Sequence, residues 1–155
     1  MTPMKWKRCG IGDQTMKHEV MEKWTAALES GEYKRTRSVL KKGEKSFCCL
    51  GVLCDVYHKE TGLGQWNKEG GQIYFDDGVE DSSDSHLPAA VKDWAGMNSV
   101  VGMSRSEPLV EFRRKDTYHG GMYSDEQYEL IEINDNSEKT FKEIAAIIRK
   151  NVDNL

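Results

Sequence analysis

Eleven consecutive residues, Phe47-Cys48-Cys49-Leu50-Gly51-Val52-Leu53-Cys54-Asp55-Val56-Tyr57, limit what this chain can fold into. Nine of them are apolar or thiol, against 37% hydrophobic residues in the chain as a whole. Ser46 before the run can cap a helix start, and Gly62 after it can supply the left-handed residue that ends one. A helix coated on nearly every side, with only Gly51 and Asp55 breaking the coat, belongs inside a fold. A buried strand competes with this reading, because a short apolar run does not decide its own period. Length, cap and glycine stop favour a central helix at about 47–60.

Around that helix the chain reads as one α+β domain, 1–155, with residues 1–14 as an irregular N-terminal arm. A domain of this size buries about two-thirds of its unfolded surface. A helix from about Thr15 carries Met16, Val20, Trp24, Ala27 and Leu28 on one face and stops at Ser30-Gly31. Glu32 to Lys45 is a polar, basic connection with room for a short strand. Gly64–Asn67 and Gln72–Phe75 flank Lys68-Glu69-Gly70-Gly71, predicting a β-hairpin over 64–75. Asp76 to Ser85 reads as an acidic, solvated loop, and Leu87-Pro88 opens a short helix that Gly96 closes. Residues 109–112 can add a strand, followed by a loop from Lys115 to Met122. Ser124-Asp125-Glu126-Gln127 reads as a capping box for a helix through Ile133, although Leu130-Ile131-Glu132-Ile133 also suits a strand. Thr140 and Glu143 form a second box, before the stripe Phe141, Ile144, Ala145, Ile148 and Val152. The expected architecture is four or five helices around the central one, with a small antiparallel sheet.

Composition narrows the setting. No run approaches the roughly 20 apolar residues of a membrane span, and the first residues lack a signal peptide's apolar stretch. A cytoplasmic protein with reduced thiols, and no membrane partner, is expected. The net charge of −4 is uneven: Lys34 to Lys45 holds six basic residues against the single acid Glu44. Non-specific nucleic-acid binding is not expected of a surface that is otherwise acidic, although there is room for one basic patch, and no sequence-specific nucleic-acid partner is expected either.

The motif Trp24-x-x-Ala27-Leu28-x-Ser30-Gly31-x-Tyr33, then Cys48-Cys49-Leu50-Gly51-Val52-Leu53-Cys54-Asp55, resembles a group of small uncharacterised tailed-phage proteins. Leu87-Pro88, Val91, Trp94-Ala95-Gly96, Asn134-Asp135, Phe141 and Ile144-Ala145 extend the resemblance over most of the chain. Members of that group carry Gln where Arg35 stands and Gly near Ser38, so this connection is adapted here. The resemblance implies a phage accessory protein acting in the bacterial host cytoplasm. It implies no reaction.

Three functions follow as expectations. Arginine forks grip phosphates and aromatic rings stack on bases. Tyr33, Lys34, Arg35, Arg37 and Lys41, joined by Arg113, Arg114 and Tyr118, would therefore bind a small anionic nucleotide-type host signal. A non-enzymatic counter-defence protein of this kind needs no cofactor and no metal. In a cysteine hydrolase of papain-like type, Cys48 or Cys49 would be the nucleophile and His86 or His119 the base. The competing reading makes these thiols small core residues. The third function is an inhibitor that binds a host defence protein. Oligomeric state is left open. Cys54 and His58 are four apart but lack the second ligand pair of structural zinc. The acidic loop lacks the spacing of a calcium site.

Overall fold

The chain crosses its own central helix at the one place where that helix has no side chain. In the computed structural model, which describes residues 16–116 and 121–155 and only the backbone of 110–116 and 121–126, helix α2 spans Cys49–Thr61. A Cβ built on Gly51 would lie 2.0 Å from the Leu40 carbonyl oxygen. That same carbonyl accepts the Cys48 N–H at 3.0 Å. One break in the apolar coat is thus a crossing point for the backbone.

The cap differs from the expectation. Ser46 lies on a strand, and the Cys48 sulfur accepts the Gly51 N–H at 3.4 Å. Gly62 ends the helix at φ +76°. Every residue of α2 from Cys49 to Cys54, with Val56 and Tyr57, is buried.

Among the described residues there are four other α-helices, of which the one before α2 and the next two after it pack on α2, and the fold is α+β. Helix α1, His18–Glu29, buries Val20, Met21, Trp24, Thr25 and Leu28. Its Trp24 indole donates to the Cys49 carbonyl at 2.9 Å. Helix α3 is Ala89–Ala95, stopped by Gly96 at φ +77°. Helix α4 is Leu130–Asn136 and α5 is Phe141–Lys150. The Thr140/Glu143 capping box forms, with reciprocal bonds of 3.2 and 2.8 Å. The stripe Phe141, Ile144, Ala145, Ile148 and Val152 joins one apolar cluster with α1, α2, α3 and α4.

The connection after α1 folds into three two-residue strands: β1 (Lys34–Arg35), β2 (Lys41–Lys42) and β3 (Ser46–Phe47). Strand β3 is central, parallel to β1 and antiparallel to β2. The expected hairpin pairs β4 (Gln65–Glu69) with β5 (Gln72–Asp76), and Gly70-Gly71 turns at φ +60° and +86°, as a tight mirror-image turn requires. Strand β6 (Ser82–Ser83) adds to β5. The Leu40 N–H donates to the Asp84 carbonyl at 2.7 Å, tying the connection to the end of this sheet.

Two local expectations are corrected. Strands β7 (Val110–Asp116) and β8 (Gly121–Gln127) pair antiparallel over seven positions. Ser124–Gln127 is therefore strand, not a capping box, because ladder bonds take the backbone groups that a helix start leaves orphaned. Helix α4 begins only at Leu130, after Glu129, and without a side-chain cap. Lys115, Asp116, Gly121 and Met122, read as loop, are also in this ladder.

The acidic loop is not simply solvated. Asp77 is fully buried, and its carboxylate accepts N–H bonds from Val79, Glu80, Asp81 and Ala90 at 2.8–3.1 Å. Asp81 accepts the Ala89 N–H at 3.0 Å. These two carboxylates satisfy amides in the first turn of α3, and Tyr57 donates to the Asp77 carbonyl at 2.8 Å. The irregular arm expected at 1–14 lies outside the described residues.

Candidate functional site

The second break in the apolar coat of α2 is Asp55, and it anchors a polar cluster at the mouth of a cleft. Asp55 accepts the Tyr33 hydroxyl at 2.5 Å and the Trp66 indole N–H at 3.3 Å. Lys59, one turn further along α2, lies 3.2 Å from the same carboxylate and donates to the Tyr33 oxygen at 3.1 Å. Burial works to raise the Asp55 pKa, but the bonds from Tyr33, Lys59 and Trp66 outweigh it and hold the carboxyl below its usual range. Burial, with the bond to Asp55, pushes the Tyr33 phenol up to about 12. Tyr33 is therefore a neutral donor at physiological pH.

The cleft has a volume of about 620 Å³. Tyr33, Lys34, Lys41, Lys45, Phe47 and Lys59 line it, with Glu32, Glu44 and Asp55 as its carboxylates. Tyr33 meets Phe47 edge-on at 4.9 Å, and Phe47 meets Trp66 at 5.6 Å, so a row of rings underlies the Lys41 and Lys59 ammonium groups. The Lys41 Nζ lies 4.6 Å from the Phe47 centroid and 5.4 Å from that of Trp66, and it donates to the Glu44 carbonyl at 3.2 Å. A cation over two ring faces is held in place by the ring quadrupoles.

Of the residues expected to bind an anion, Tyr33, Lys34 and Lys41 come together here. Arg35 turns away and donates to the carbonyls of Ser137 and Lys139 in the α4–α5 loop. Arg37 donates to the Ser137 carbonyl at 3.3 Å and lines a second hollow with Lys41 and Lys42. Arg113 and Arg114 lie on β7, where only the backbone is described. Tyr118 and His119 lie outside the described residues. Asp55, Lys59, Lys45 and Phe47 were not among the expected site residues. Their available signal was the lone carboxylate of the apolar run with a lysine four residues later.

The adapted connection is fastened from the other side. The Asn134 amide is fully buried: its oxygen accepts the Cys49 N–H at 3.1 Å and its nitrogen donates to the Thr36 carbonyl at 2.8 Å. Asp135 accepts the Ser38 N–H at 3.0 Å. Ser38 holds φ +71°, a conformation that glycine favours.

The thiols have a different environment. Cys48, Cys49 and Cys54 are buried and free of disulfides. Burial pushes Cys48 up to about 12 and both Cys49 and Cys54 well above the ordinary thiol value. A thiol so placed carries almost no thiolate at neutral pH. The His86 Nδ1 lies 3.1 Å from the Leu87 carbonyl. Among the described residues, no three His, Cys, Asp or Glu side chains gather as metal ligands do. No helix there is long and apolar enough to cross a membrane.

Residues 16–152 match the model of a family described as a domain of unknown function, DUF8296, and the chain belongs to that family. No curated protein and no solved structure matches the chain.

Proposed function

For this member of a family without an assigned activity, we propose non-enzymatic binding of a small anionic, nucleotide-type ligand in the cleft between β1, the β2–β3 hairpin and α2. One observation carries the reading. Four lysines, 34, 41, 45 and 59, converge on a cleft underlain by aromatic rings in a chain whose net charge is −4. Ammonium groups are point charges suited to phosphate oxygens, and the Tyr33 edge offers an apolar surface for a base or ribose. The buried thiols favour this reading over a cysteine hydrolase.

The biological setting follows from the motif resemblance. A phage accessory protein in the host cytoplasm that removes a nucleotide signal, such as a cyclic nucleotide or an ADP-ribose derivative, blunts a defence that depends on that signal. Because Arg35 and Arg37 spend donors on loop carbonyls, the lysines, more than the arginines, carry the affinity.

The test is calorimetric titration of cyclic nucleotides and cyclic ADP-ribose isomers. Binding tighter than about 10 μM is expected, equivalent to roughly 7 kcal/mol. Lys34→Ala or Lys45→Ala each weakens it about tenfold, at the lower end for a bond to a charged group. If no ligand in the panel binds, the anion-site reading fails and the host-protein inhibitor reading leads.

A further inference from the structure

We propose that the ligand is a dinucleotide, with its two phosphates on either side of Lys41. This deepens the nucleotide reading and rests on it. The β2–β3 hairpin belongs to two hollows at once. Lys41, Glu44, Lys45 and Phe47 line the cleft, while Lys41, Lys42 and Gly43 line the neighbouring hollow of about 420 Å³. Lys42 lines the second hollow and not the cleft. Lys41 lines both spaces and joins them.

Charge distinguishes the two ends. The cleft sets four ammonium groups against three carboxylates, one of them Asp55 already bonded to Lys59. Beyond the shared Lys41, the second hollow adds Arg37 and Lys42 against Asp84. The Gln72 amide meets Asp84 at 3.1 Å as a neutral donor, so Asp84 offsets one of these cations, whereas the carbonyl that Arg37 meets offsets none. A mononucleotide in the cleft would leave the other cation unanswered. A second phosphate linked through a nucleoside answers it without a second loss of translational freedom, the source of affinity gain in linked ligands. Lys41, held over Phe47 and Trp66, is the fixed cation between the two phosphates.

The experiment titrates thymidine monophosphate, the 5′-phosphorylated linear thymidine dinucleotide and cyclic di-AMP at several salt concentrations. The proteins compared are the unsubstituted chain, Lys42→Ala and Lys45→Ala. At least one dinucleotide should bind about tenfold or more tighter than the mononucleotide, and the form that gains identifies linear or cyclic chemistry. The linear form carries one more negative charge than the monophosphate, so its affinity should fall more steeply with salt. Lys42→Ala should remove the gain while leaving the mononucleotide constant within about twofold, since that phosphate stays in the cleft. Lys45→Ala should weaken all the ligands alike. Equal affinity for one and two phosphates, or equal weakening of both by Lys42→Ala, overturns the bridging inference and leaves the cleft as a mononucleotide site. Absence of binding by all three ligands overturns the bridging inference, while the titration of cyclic nucleotides and cyclic ADP-ribose isomers decides the cleft reading separately.

Discussion

Gly51 and Asp55 interrupt the same apolar helix for unrelated reasons, one a backbone crossing and the other a polar cluster, and the crossing can be tested by one substitution. Gly51 gives the Leu40 backbone room to cross. In Gly51→Ala the new methyl would overlap a carbonyl that also holds Cys48, and backbone cannot rotate aside as a side chain can. The loss should exceed about 3 kcal/mol, the upper end for overpacking, and a thermal melt would read it as a large fall in Tm or as insoluble protein. A melt within a few degrees of the parent would show that the crossing relaxes freely. The thiols beside it make a chemical prediction. Cys48 and Cys49 should resist alkylation at neutral pH until denaturant is added, because burial suppresses their ionisation. Fast labelling of one of them in the folded protein would restore the nucleophile reading. That the run was central was plain from its composition. The distinct jobs of its two exceptions were not, because Leu40 and Tyr33 come from outside the helix.

At the scale of elements, legibility followed how locally each element is specified. Helix α5 was readable because its capping box and its stripe lie within a dozen residues. The boundary between β8 and α4 was misread because Ser124–Gln127 satisfies a local rule, while its partners on β7 are supplied by another segment. The loop at 76–85 was misread in the same way: five acids look solvated until one of them is buried under a helix start. Asp77 therefore gives the element-scale prediction. Burial tends to raise its pKa, but four N–H bonds overcome that and hold it below the usual carboxylate value. A depressed folded pKa contributes stability that is fully present above the unfolded value of about 3.9 and lost as pH falls below it. Urea titrations from pH 7 to pH 3 should show the parent losing stability below about pH 4. Asp77→Asn should be weaker by at least about 2 kcal/mol at pH 7, since it turns an acceptor into a donor facing an amide. It should also lose less on acidification. An Asn variant with unchanged pH dependence would remove Asp77 from the acid transition.

At the scale of the molecule, the two ends of the described chain meet. Helices α1 and α5 pack side by side, and Arg149 grips the Glu29 carboxylate with both terminal nitrogens, at 2.6 and 2.7 Å. All five helices feed one buried cluster, so cooperative unfolding is expected, with far-UV circular dichroism and tryptophan fluorescence changing together in urea. A fluorescence change that comes first would show that unfolding is not a single cooperative step. The helical frame was legible in the sequence because periodicity announces it. The cleft was legible only in part. Three strands of two residues each decide which basic side chains share a space, and no period encodes that choice.

The Asn134 amide bears on how transferable the cleft is. It spans the Thr36 carbonyl and the Cys49 amide, while Asp135 and the carbonyls of Ser137 and Lys139 secure Ser38, Arg37 and Arg35. None of these later residues borders the cleft. Copying its lysines and rings onto another scaffold would reproduce an inventory without its frame. A shortened chain ending before residue 134 would keep every wall residue and still lose the shape, so the smallest portable unit of this site is close to the whole domain.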